Sequence, residues 1–96
     1  MVKRKDNDTK AYAALRDRIS FNVKKYRKEQ HLTQEELSEK ANISYDFMRR
    51  IESEKGKYGF SVYTLYKLAI ALNVSMDELV GLNIKKDIEK ELITKK

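Results

Sequence analysis

The chain has 96 residues, 38% of them charged and 41% hydrophobic, with a formal net charge of +6, enough for one domain with a single modest core. It contains no cysteine and one histidine, His31, which excludes a disulfide framework, a thiol nucleophile, a cysteine-ligated zinc and a histidine metal site. No apolar run approaches the ~20 residues that cross a bilayer, and no signal-peptide core follows Met1, so the expectation is a soluble, cytoplasmic protein.

The charge is unevenly placed. Residues 1–28 hold ten Lys or Arg against three Asp, whereas residues 29–59 hold five basic and seven acidic side chains. A lone basic run is most simply a solvated arm. A polyanion such as DNA also fits it, because each neutralised phosphate releases counterions.

Residues 1–8 show no apolar periodicity and are expected to be mobile. Asp8 or Thr9 can cap a helix, and Tyr12, Leu15, Ile19, Val23 and Tyr26 then recur every three or four residues, predicting one long helix over about 10–29. On the far face sit Lys24, Lys25, Arg27 and Lys28, of which some could reach phosphates. His31 is the expected stop, since His is among the non-glycine residues more often found at positive φ.

Thr33 with Glu36 three residues on is a capping box that starts a second helix, with Leu37 and Ala41 on its buried face. Asn42 tolerates the left-handed backbone that ends a helix, Ile43 plugs the corner, and Ser44 caps a third helix with Phe47, Met48 and Ile51 inward. Two helices joined by so short a turn form a helix-turn-helix, whose second helix can enter the DNA major groove. Its outward positions are Tyr45, Asp46, Arg49 and Arg50. Asp46 and Arg50 also make an ordinary i,i+4 surface pair.

In the loop that follows, Lys55, Lys57 and Tyr58 are candidate phosphate contacts, and Gly56 and Gly59 are expected to supply unusual dihedral angles. Ser61 caps a fourth helix with an apolar face of Val62, Leu65, Leu68, Ala69 and Leu72, Tyr63 and Tyr66 at its packed edges, and Asn73 as the stop. Ser75 and Glu78 form a second capping box for a short fifth helix with Met76, Leu79 and Val80 inward. Ile84, Ile88 and Leu92 then recur at i, i+4 and i+8, an amphipathic pattern that suits folding back on the core, pairing with a second copy or, less well given Asp87, Glu89 and Glu91, lying on a membrane surface.

With LTQEEL at 32–37, Ala41, Asn42-Ile43-Ser44 and FMRRIE at 47–52, followed by TLYKLAIALNVSMDEL at 64–79, the chain resembles the Cro/C1-type (XRE family) helix-turn-helix regulators over residues 19–81. Phage repressors, restriction-modification controller proteins and some antitoxins share that domain. The resemblance implies an all-α, five-helix, lambda-repressor-like DNA-binding domain, with a basic N-terminal extension at 1–18 and a tail or dimerisation helix at 82–96.

The resemblance also assigns roles. Gln34 would hold the phosphate backbone beside the Thr33 cap, while Tyr45, Asp46 and Arg50 would face bases with Ser44 and Arg49 beside them. Arg27 and Glu52 would form a structural ion pair. A glycine common two residues past the glutamate is absent here, where Ser53-Glu54 stands, and AYAALRDR upstream of Ile19 is an addition. The function implied is sequence-specific binding of double-stranded DNA as a homodimer, a transcription regulator or repressor with no catalytic residue, metal or cofactor, no membrane association and no evident small-molecule ligand. The alternative is a protein-interaction module built on the same helices.

Overall fold

The computed structural model describes residues 2–53, 59 and 61–82, with side chains from Lys10 onward. The described residues form five α-helices: α1 (Val2–Glu29), α2 (Gln34–Ala41), α3 (Tyr45–Glu52), α4 (Val62–Leu72) and α5 (Met76–Val80). This is the all-α, five-helix fold expected. The first helix differs from expectation, since it begins at Val2 rather than near residue 10. Nothing in residues 2–10 breaks a helix, as there is no proline or glycine among them.

Local signals set most of the boundaries. Thr33–Glu36 and Ser75–Glu78 are complete capping boxes, and Ser44 and Ser61 accept from the amides of Phe47 and Thr64. Left-handed residues follow four of the helices, at His31 (φ 58), Asn42 (φ 56), Asn73 (φ 56) and Gly81 (φ 66). After each of them the next residue donates back into the last turn, as Ile43 does to Ser38 O at 2.9 Å and Val74 to Ala69 O at 3.0 Å. The exception is α3, which ends at Ser53 in extended backbone (φ −73, ψ 129).

The core is built on Val23, Leu37, Met48, Leu68, Leu72 and Leu79, with Ile19, Ala41, Ile51, Ala69 and Ala71 around them. Burial of such side chains is the main source of stability, at about 1.5–3 kcal/mol each. Along α4 the expected Leu68, Ala69 and Leu72 are buried and Leu65 packs against the core, with Thr64 and Ala71 buried beside them. Val62, the first residue of the helix, is instead 74% exposed rather than inward, and Tyr63, Tyr66 and Ile70 are exposed as well. Tyr63 lies under the Lys67 ammonium at 4.6 Å instead of packing at an edge.

α1 acts as a spine for the other helix ends. Its side chains, and Gln30 just after it, donate to carbonyls where three other helices finish: Arg16 to Arg50 O at the end of α3, Gln30 to Leu72 O at the end of α4, and Asn22 to Leu79 O in α5. Gly59 is among the few loop residues described; its φ is not positive, so no unusual dihedral angle is required of it, and the Tyr12 hydroxyl lies where a Cβ would project. Ile84, Ile88 and Leu92 lie outside the described residues, as does Gly56.

Candidate nucleic-acid interface

The amphipathic division of α3 decides what it can present. Met48, Ile51 and Glu52 are buried, which leaves Tyr45, Asp46, Arg49 and Arg50 on the opposite, exposed side. The four make one cluster: Asp46 receives Arg49 at 3.0 Å and Arg50 at 2.9 Å, and the Arg49 guanidinium sits 5.5 Å from the centre of the Tyr45 ring. All three charged side chains are more than half exposed, so each pair contributes at most about 1 kcal/mol and is readily exchanged for another partner. Asp46 thus holds two arginines side by side without locking either.

The two helices of this motif each begin at a capped N-terminus. Thr33 Oγ1 accepts from the Glu36 amide at 3.0 Å, and Ser44 Oγ from the Phe47 amide at 3.0 Å. The first-turn amides that remain, with the positive ends of the helix dipoles, suit an anion. Glu35 and Glu36 work against that in α2, but Glu36 is turned back onto the Thr33 amide at 2.8 Å. That hydrogen bond, and the one with the Thr33 side chain, hold its carboxyl below the usual carboxylate range.

Arg27 is buried rather than set on the far face with Lys24, Lys25 and Lys28: behind the exposed face it forms a bidentate pair with Glu52, Nε–Oε2 2.6 Å and Nη2–Oε1 2.9 Å, with both side chains buried. Arg27 Nη1 also donates to Leu32 O at 2.8 Å, and Gln34 Nε2 donates to Glu52 Oε1 at 3.1 Å. Half-buried Gln34 is therefore held by the same carboxylate that ties α1 to α3. One N–H and the amide oxygen of Gln34 remain for an outside partner.

Lys55, Lys57 and Tyr58 lie outside the described residues. Sequence reasoning passed over Arg16, which is 4% exposed and bonded to the end of α3. The available signal was phase, since Arg16, Ser20, Val23 and Arg27 share one face of α1 and all are buried. Along that helix an open groove is lined by Asp17, Ser20, Phe21, Lys24, Lys25, Lys28 and Glu52. Among the described residues no group of His, Cys, Asp or Glu can hold a metal ion, and no helix is long and apolar enough to cross a membrane.

The family described as Helix-turn-helix matches residues 23–79. Over 63 residues the chain is 41% identical to the immunity repressor protein of Bacillus phage phi105, an overlap of 66% of this chain and 42% of that repressor, so it spans less than half of that relative. Over 66 residues it is 38% identical to the uncharacterized HTH-type transcriptional regulator y4dJ of Sinorhizobium fredii (strain NBRC 101917 / NGR234), covering 69% of this chain and 83% of that one. The crystal structure of the hypothetical transcription factor NHTF from Neisseria superposes with a TM-score of 0.64 over 78% of this chain and 83% of that one, at 21% identity, a likeness of fold.

Proposed function

The chain belongs to the helix-turn-helix family, of the Cro/C1 (XRE) type; from that premise we propose that it is a DNA-binding transcriptional regulator rather than an enzyme, and that it binds an inverted-repeat operator as a homodimer, in the cytoplasm. The observation that carries the reading is the exposed Tyr45–Asp46–Arg49–Arg50 cluster on a helix whose other face is core. In this reading Arg50 meets a guanine edge, Asp46 either accepts from a cytosine amino group or orients Arg50, and Tyr45, Arg49 and Ser44 pack beside them. Thr33 and Gln34 hold phosphates, joined by Lys55, Lys57 and Tyr58 from the loop.

The dimer follows from information: one such domain reads too few base pairs to select a site from a genome, and doubling the reading surface is the usual remedy. We assign residues 19–81 to DNA binding and 82–96 to the twofold contact, with exposed Leu82 at its start. Selection of preferred duplexes from a random pool tests the proposal. Recovery of an inverted repeat with half-site centres roughly 34 Å apart supports it, and recovery of no shared sequence overturns it.

One observation favours a second reading. Val62, Tyr63, Tyr66 and Ile70 are all more than half exposed along one helix, an apolar stripe of the kind that marks protein contacts. A protein-interaction module, the antitoxin-like alternative, would use such a stripe and would bind duplex DNA without sequence preference.

A further inference from the structure

We infer that the turns of α1 preceding the family match are part of the reading head, with Arg16 the positioning residue that fixes the last turn of α3 and thereby aims Arg50. The inference rests on the proposal that α3 reads bases.

α3 has eight residues, too few to hold helical structure without support. Its last turn closes with the Ser53 amide donating to Arg50 O at 3.3 Å, and it lacks the left-handed stop of its neighbours, because Ser53 is extended where α1, α2, α4 and α5 end in left-handed residues. Arg16 reinforces that closure from 34 to 37 residues away. Its Nη2 donates to Arg50 O at 3.2 Å, and both terminal nitrogens donate to Ser53 O at 3.4 Å. A buried guanidinium at the negative end of a helix dipole also complements it electrostatically. Of these carbonyls one belongs to Arg50 itself, so the backbone from which the base-facing side chain projects is held directly.

A second contact comes from the same face of α1. Tyr12, four residues before Arg16, sits where a side chain on Gly59 would have to be, so α1 also meets the loop that follows α3. Both contacts come from residues upstream of the 23–79 match.

The test uses the full chain and compares wild type with Arg16→Met, which keeps the buried stem but removes the donors, and with Arg16→Lys, which keeps the charge but not the forked geometry. Affinity is measured for the selected duplex, for that duplex changed at the base pair Arg50 discriminates, and for random duplex, at fixed salt. Arg16→Met is expected to lower the specific-to-random ratio about tenfold, the low end of one good base contact, and to flatten discrimination at that base pair. Adding Arg50→Ala to it should have little further effect, and Arg16→Lys should fall between wild type and Arg16→Met. An Arg16→Lys protein that melts lower yet keeps the wild-type ratio would show the contact to be structural only. Should Arg16→Met not fold, Arg16→Lys alone decides the matter by the same ratio. A wild-type protein with no preference among duplexes would instead remove the premise that α3 reads bases.

Discussion

Glu52 is the meeting point of three helices: its carboxylate takes both Nε and Nη2 of Arg27 and, through Oε1, the side-chain amide of Gln34. With Glu52 removed, the Arg27 charge would stay buried without its carboxylate, which typically costs about 3–5 kcal/mol. Glu52→Ala is therefore expected to lower the urea midpoint severely, with Arg27→Met comparable. Equal unfolding curves for wild type and Glu52→Ala would refute a stabilising role.

Arg50 and Gln34 should fail differently. Arg50→Ala is expected to lose about 1–3 kcal/mol on the preferred site and to flatten the penalty at one base pair. Gln34→Ala should weaken all duplexes evenly. Binding to a panel of single-base variants separates the two, and an unchanged ranking with Arg50→Ala would mean that another residue is the reader.

Asp46 places a negative charge on the face meant for DNA while holding Arg49 and Arg50. Asp46→Asn should strengthen binding to random duplex, because one repulsive charge is removed. Anisotropy titrations at two salt concentrations measure this, and weaker binding at both would make Asp46 an organiser of the arginines above all.

The Glu36 carboxyl is lowered by the Thr33 backbone amide first and the Thr33 side chain second. Its folded-state pKa thus lies below the unfolded value of about 4.3. The linked stability is fully present above that unfolded value and is lost as pH falls through the lower folded one. Glu36→Gln should be less stable than wild type near neutrality, and the gap should close in acid. A gap that stays constant down to about pH 2, below the usual carboxylate range, would contradict the linkage.

The parts of the fold legible in the sequence are those whose cause is local. Thr33–Glu36, Ser75–Glu78, Asn42, Asn73 and His31 each act within a few residues of themselves, and residue type alone carries that information. The exposure of Tyr45, Asp46, Arg49 and Arg50 was readable for the same reason, from helical phase. Arg16 was not readable as a clamp, because its partners lie 34 and 37 residues away. Val62 was misassigned to the core because periodicity gives the phase of a face but not how far along the helix its neighbours extend. Gly59 looked like a dihedral requirement, yet its φ is not positive, and its close neighbour is the Tyr12 hydroxyl, 47 residues earlier in the chain.

Sedimentation at micromolar concentration, with and without residues 83–96, tests the twofold contact. The full chain should be a dimer and the truncated chain a monomer. A truncated chain that still dimerises, and loses this in Tyr66→Asp or Ile70→Asp, would move the contact to the exposed stripe of α4.

The most direct test of sequence-specific reading is competition between the selected duplex and a scrambled duplex of equal length, measured across a range of salt concentrations. Affinity for both should fall as salt rises, while the selected duplex stays favoured by about 10³-fold or more at physiological salt. Equal affinity for the two duplexes at every salt concentration would contradict it.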